Sequence, residues 1–250
     1  MSRPDRADIH VPQTRLGMFD LVPATASSLL DVGCNVGELL AECQRARPRM
    51  RLAGVDINEA AVTRARQAIP CGDIQIASAC ELPYRSEYFD CVTCLEVLEH
   101  IPAETRGTAL REIRRVLRPA GRLILEVPHA GAFSWLDPQN FRFRFPRLYT
   151  AVVGRGGRDA VYENGHRLVW HHHFSLAELL SLCGSEWKPV AMKRGGLFLV
   201  PLSDAARWPF YRTGRTESRL YRALAAISNF DSAIDYGVAS YDITLALQRS

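Results

Sequence analysis

The segment LLDVGCNVGELL, Leu29 to Leu40, places a glycine-bearing turn between an apolar run and an amphipathic one. Gly33 and Gly37 carry no Cβ, so the chain can bend sharply there and a ligand can lie against main-chain N–H groups at a helix start. Asp31 is positioned to orient that loop, or to hold an ammonium group through a water. About 25 residues further on, Asp56 ends a second apolar run in GVDIN, where a carboxylate can accept both hydroxyls of a ribose. The two sites together describe a pocket for an adenosine nucleoside. A nicotinamide dinucleotide would use the same carboxylate, but the GxGxxG fingerprint counted from Gly33 needs glycine at Asn35 and at Glu38, and a pyrophosphate beside Glu38 would be repelled. A nucleoside donor without phosphate, such as S-adenosylmethionine, meets no such objection.

In order and spacing the motifs resemble the class I S-adenosylmethionine-dependent methyltransferases, especially the group called methyltransferase type 11, from about Ser28 to Pro128. DVGCNVG looks like the first motif of that family and GVDIN like the second. ASACELPYRSEYFDCVTCLEVLEHI looks like the third and fourth, and VLRPAGRLILEVP like the fifth. The resemblance implies S-adenosylmethionine as cofactor. Asp31, Gly33, Cys34 and Gly37 would surround its methionine part, with Cys94 beside them. Asp56 would take the ribose, Ile57 one face of the adenine, and Ser78 and Ala79 its ring edge. Two positions depart from the family pattern: Asn35 stands where glycine is common, and Ser78 where an aspartate often meets the adenine amino group. A binding domain without catalytic activity is therefore one reading of the chain.

Methyl transfer from a sulfonium is an in-line displacement that gains most from holding donor and acceptor in register. A hydroxyl acceptor must also lose its proton, and histidine is the favoured base near neutral pH. His129 follows the fifth apolar run in VPH, where the methyl should point, and His100 lies in LEHI. Glu99 is a further candidate base, or else a helix-start carboxylate. In WHHHFS, alternation along an extended segment lets His171 and His173 share one side while His172 takes the other. No metal is expected there; one of the three is expected to line the acceptor site, and His172 joins His129 and His100 as a catalytic candidate. The segment PHAGAFSWLDPQNFRFRFPRLYTAVVGRGGRD carries Trp135, Phe141, Phe143, Phe145 and Tyr149 for ring stacking. It also carries Arg142, Arg144, Arg147, Arg155 and Arg158 for phosphate or carboxylate. Alternation in FRFRF would put the aromatics on one side and the arginines on the other. Together with the HHHFS entry, the segment is similar to methyltransferases of bacterial cell-surface polysaccharide and glycolipid assembly. That likeness implies O-methylation of a sugar hydroxyl on a saccharide or glycolipid. A small-molecule O-, C- or N-methyltransferase of an aromatic or lipid-like metabolite would suit the same residues.

These side chains need a sheet to carry them. Short apolar runs alternate with helical patterns up to Pro128, which is the mark of repeated βαβ units. The expected fold is α/β, a Rossmann-like doubly wound and mostly parallel sheet with an antiparallel closing strand and acceptor-side insertions. SSLLDVG, RLAGVDI, DIQIA, FDCVTCLEV and RLILEVP supply strands, and GELLAECQRA, Glu59–Ile69 and Glu104–Leu117 supply helices, the last closed by RPAG. The core is expected over 28–128 and an insertion over 129–172. Ser175 and Glu178 have capping-box spacing before LAELLSLC, opening a closing region, 173–250, that includes a mostly helical second insertion over 203–235.

At 250 residues with 47% hydrophobic content the chain suits one domain. A net charge of +4 is too small for a dedicated nucleic-acid binder, although the arginines of 141–158 and 207–222 can form a local anion-binding surface or a solvated face. No apolar stretch reaches a membrane span and the first residues are polar, so a cytoplasmic protein is expected, with peripheral membrane contact through the insertion as the remaining option. Seven scattered cysteines are expected as reduced thiols.

Overall fold

The computed structural model describes residues 21–148, 162–163, 166–167, 171–213 and 218–250. Tyr149, Arg155 and Arg158 lie outside them, as do the side chains of Phe141 and Arg142.

Strand β1 (Ser28–Val32) is buried along its length, and its residues alternate between two cores. Leu30 and Val32 face one cluster and Leu29 faces the other, as period-two geometry requires of a strand covered on both sides. Helices α1 (Glu38–Ala46) and α2 (Glu59–Ala68) bury Leu39, Leu40, Val62 and Ala65 on the Leu29 side. Helix α3 (Ala103–Val116) buries Leu110, Ile113 and Val116 on the other. Asn58 starts α2 by accepting from the N–H groups of Ala60 and Ala61 at 3.0 and 3.2 Å, the usual service of an N-cap side chain.

Strands β2 (Arg51–Asp56), β3 (Asp73–Ile76), β4 (Phe89–Leu95) and β5 (Leu117–Pro128) join β1 in parallel. Beyond them come β8 (Trp187–Gly195) and β9 (Asp242–Arg249), and the sheet order is β3-β2-β1-β4-β5-β9-β8. Strand β9 is antiparallel to both β5 and β8. The expected doubly wound sheet with its antiparallel closing strand is therefore present. Residues Tyr162–Glu163 (β6) and His166–Arg167 (β7) form a separate two-stranded ribbon.

Several local expectations change. RPAG is not a turn between helix and strand. Leu117 is already extended and paired with Phe89, and the next four residues are an irregularity inside β5, with Ala120 at φ 60°. FRFRF is no strand: Phe141–Arg144 forms a short helical turn, α4, where the period-two alternation of a strand does not apply. Helix α5 (Leu176–Cys183) has only half a capping box. Ser175 Oγ accepts from the Glu178 N–H at 3.2 Å, while the Glu178 carboxylate turns to His172 instead. Helices α6 (Leu199–Thr213) and α7 (Arg219–Ser232) form the second excursion, which starts four residues before the expected Ser203. Arg207, counted with a possible anion-binding face, is buried, pairs with Asp204 and lies over the Tyr221 ring.

All seven cysteines are free thiols. Cys91 and Cys94 are buried in β4, and desolvation pushes the Cys91 thiol up to about 12, so this CxxC is packing. Among the described residues no helix is long and apolar enough to cross a membrane.

Candidate active site

The glycine turn after β1 folds as its residue types require. Gly33 has φ 78°, and a Cβ there would stand 2.2 Å from Val97 Cγ2, so both backbone conformation and space demand glycine. The N–H groups of Gly33 and Cys34 both donate to the Val55 carbonyl, at 2.8 and 3.0 Å. Asn35, the departure from the family pattern, has φ 46°, a left-handed conformation that asparagine tolerates better than most residues. Gly37 (φ 82°) begins α1. Asp31 is buried in β1 and accepts from Thr93 Oγ1 at 2.7 Å, tying β1 to β4.

Asp56, at the C-terminal end of β2, locks this loop. Its Oδ2 accepts from the Asn35 N–H at 2.9 Å and its Oδ1 from the Asn58 N–H at 2.8 Å. A carboxylate holds about four acceptor positions, so capacity remains for two hydroxyls. Beside it Ile57 and Ile76 are 51% and 49% exposed, apolar faces left open at a sheet edge. Ser78 Oγ accepts from the Cys80 N–H at 3.1 Å within a turn that includes Ala79. Acceptor oxygens next to uncovered apolar surface are the donor set that a nucleoside needs. The residues present therefore fit S-adenosylmethionine. Cys34 and Cys94 are buried near the turn, Cys34 against Gly54 and Cys94 registered with Val32.

A second assembly stands at the same C-terminal edge of the sheet. Glu99 and His100 lie on a 3₁₀ turn after β4, Asp137 and Asn140 on turns after β5, and His171 to His173 lead into α5. Asn140 clamps the main chain of His171, accepting from its N–H at 2.9 Å and donating to its carbonyl at 2.8 Å. His171 Nδ1 is 2.5 Å from Asp137 Oδ2, and its Nε2 is 3.5 Å from Glu99 Oε1. Burial would lower the His171 pKa, but the two carboxylates outweigh it and raise the imidazole to about 10. For His173, 3.5 Å from Asp137, desolvation prevails and brings it down to about 4.

The expected division of the histidine run is present: His171 and His173 turn inward to Asp137, and His172 turns to Glu178 at 2.7 Å. His100 is 3.7 Å from Glu99 and about half exposed. His129, after the end of β5, is buried, with Nδ1 3.0 Å from the Ser240 carbonyl and its main-chain N–H on the Tyr241 carbonyl. The sequence reading missed Asp137 and Asn140, whose signal was the turn-forming DPQN inside an aromatic segment. It also passed over Glu96 at the end of β4. The Glu96 carboxyl is pushed well up by burial and by Glu99, Asp242 and Glu126. A cavity of about 230 Å³ adjoins the histidines, lined by Ser134, Trp135, Asn140, Arg144, His172 and His173.

Comparison with known proteins accords with this geometry. Residues 30–125 match the model of a methyltransferase domain family. Over those residues the chain is similar to methyltransferase domains of the S-adenosylmethionine-dependent type, and the glycine turn and Asp56 fit that donor. It is 40% identical over 130 residues to 27-O-demethylrifamycin SV methyltransferase of Amycolatopsis mediterranei, a match covering 48% of this chain and 47% of that one. It is 35% identical over 113 residues to the ubiquinone biosynthesis O-methyltransferase of Alkalilimnicola ehrlichii, covering 43% and 44%. The chain thus spans about half the length of these relatives. In fold it is similar to an S-adenosylmethionine-dependent methyltransferase from Mesorhizobium loti, with TM-score 0.56, 17% identity and coverage of 94% and 96%.

Proposed function

We propose that the chain transfers a methyl group from S-adenosylmethionine to a hydroxyl of a sugar, carried on a saccharide or glycolipid. The observation that carries the acceptor class is the lining of the cavity. Trp135, 57% exposed, offers a flat face for stacking on a sugar ring. Ser134, Asn140, Arg144 and His172 offer the hydrogen bonds that orient several hydroxyls. The donor supplies an electrophilic methyl on sulfur. The chain's part is to hold the ribose at Asp56, to seat the acceptor beside Trp135 and to exclude water. Proton removal falls to His129: donation of its Nδ1–H to the Ser240 carbonyl leaves Nε2 as the acceptor. His100 and His172 are the other histidines at this edge.

A second reading is favoured by the relatives' names, a 27-O-demethylrifamycin SV methyltransferase and a ubiquinone biosynthesis O-methyltransferase. In that reading the Trp135 face stacks on an aromatic metabolite. Incubation with methyl-labelled S-adenosylmethionine and separate glycan, glycolipid and aromatic-metabolite fractions decides between them. Label in the saccharide fractions supports the first reading and label in the aromatic fraction alone replaces it. Donor binding with no transfer into any fraction would leave a binding domain without catalysis.

A further inference from the structure

We propose that Glu99, His100 and His171 form a binding site for a divalent first-row metal ion, with Asp137 orienting His171. Their three ligand atoms lie within 4.8 Å of one another, brought together from the turn after β4 and the segment before α5. Glu99 is fully buried, and neither its carboxylate oxygens nor His171 Nε2 has a hydrogen-bond partner among the described residues. A buried carboxylate without a close hydrogen bond is costly, and His171 and His100 at 3.5 and 3.7 Å are the nearest groups to offset it.

A proton is one candidate and a metal ion is the other, and distance separates them. A charge-assisted N–H···O bond would draw nitrogen and oxygen to about 2.7–2.9 Å. Glu99 Oε1 instead stands 3.5 Å from His171 Nε2 and 3.7 Å from His100 Nε2. Ligand atoms each about 2.0–2.1 Å from a tetrahedral zinc lie roughly 3.3 Å apart. The observed spacings are a few tenths wider than that set and longer than a charge-assisted hydrogen bond.

The surroundings agree with a cation. Asp137 takes the His171 Nδ1–H at 2.5 Å, which aims Nε2 at Glu99; a metal ion would displace the proton held on that nitrogen. Carboxylate, imidazole and metal in that order is the usual support of a metal-bound histidine. Asp137 also stands 3.5 Å from His173, but its Oδ2 is engaged with His171 and Asn140, so it serves as the orienting group rather than a ligand. Two imidazoles and one carboxylate suit zinc, manganese or iron better than magnesium or calcium, which prefer oxygen. His100 is the exposed member, so the open coordination positions lie on its side, where a water or an acceptor hydroxyl can bind. Metal binding needs nothing from the methyl-transfer reading. Only the use of the ion, polarising the acceptor hydroxyl and lowering its pKa, rests on it.

The test uses the full chain stripped with chelator and titrated calorimetrically with Zn²⁺, and with Co²⁺, whose visible absorption reports ligand type. One equivalent is expected, with no competition from millimolar Mg²⁺. His100→Gln and Glu99→Gln should each weaken binding by about 100-fold or more, and Asp137→Asn by about 10- to 100-fold. His172→Gln, which turns to Glu178, should stay within about twofold. Since Glu99 is buried and its variant can misfold, the exposed His100→Gln keeps the test decisive. Absence of stoichiometric binding by folded protein, or binding that His100→Gln leaves unchanged, overturns the site. A parallel titration with S-adenosylmethionine keeps the readings apart: a chain that binds donor and no metal loses this site and retains the donor pocket.

Discussion

Removing the Asp56 carboxylate should damage two things at once, and the structure says by how much. Its oxygens hold the N–H groups of Asn35 and Asn58, joining the glycine turn to the start of α2. Hydrogen bonds to a charged group contribute about 1.5–3 kcal/mol each, but both amides sit where water can replace part of the loss, so Asp56→Ala should lower unfolding stability by about 1–3 kcal/mol in all. Donor affinity should fall by a further 1–3 kcal/mol or so, roughly 5- to 150-fold, because the ribose hydroxyls lose their acceptor. Asp56→Asn keeps one side-chain oxygen and should retain about half the stability while still losing donor affinity. Urea unfolding and calorimetric titration with S-adenosylmethionine measure the two effects separately. A folded Asp56→Ala protein whose dissociation constant stays within twofold of the parent would refute the ribose site. An unchanged unfolding free energy would refute the anchoring of the turn.

Other expectations follow from single contacts. Gly33→Ala should destabilise by about 2–4 kcal/mol, from the left-handed φ and the 2.2 Å overlap with Val97. Val97→Ala in the same chain should recover the overlap portion only, and complete recovery in urea unfolding would contradict the strain argument. For Asp90, burial would raise the carboxyl, but bonds from the Ser27 and Ser28 hydroxyls, the Ser27 N–H and Arg118 outweigh it and hold it far below the usual range. Its stabilisation is therefore complete above the unfolded value near 4 and is lost as pH falls below that toward the folded value. Urea midpoints measured down to about pH 2 should fall less steeply in a Ser27→Ala, Ser28→Ala protein, and parallel curves would speak against this account. Trp135→Ala should raise the acceptor Michaelis constant by about 2- to 13-fold, the worth of one stacking contact, with donor affinity unchanged. His129→Ala should cost about 10²- to 10⁴-fold in turnover, and a smaller loss would move the proton acceptor elsewhere on this edge.

What the sequence made legible was the part governed by local period and by glycine. Leu29 and Leu30 alternate into opposite cores, and the turn at Gly33 and Asp56 at the end of β2 were readable because backbone conformation restricts the residue types allowed there. The division of the histidine run into inward and outward members was readable for the same reason. Pairings over long separations were not. Asp137 meets His171 across 34 residues and Asn140 meets it across 31, and no pattern in either segment names its partner. FRFRF misled because alternation over five residues is too short to separate a strand from a single helical turn. RPAG misled because an irregular strand and a turn use the same residues.

The place of β9 between β5 and β8 dictates an order of assembly during synthesis. Strand β8 is made first but has no neighbour in the sheet until β9 follows it. At about 5–20 residues per second, the roughly 50 intervening residues keep β8 waiting on the order of 3–10 s. A strand left unpaired that long invites pairing with other chains. Strand β8 is suited to the wait: Lys188, Lys193 and Arg194 place charge along it, and Pro189 sits at an irregularity in its ladder. Its exposed edge in the finished sheet and its solitary interval on the ribosome thus call for the same residues. Replacing those charges with apolar β-formers would be felt first as aggregation of nascent chains, before any change in the folded protein's stability.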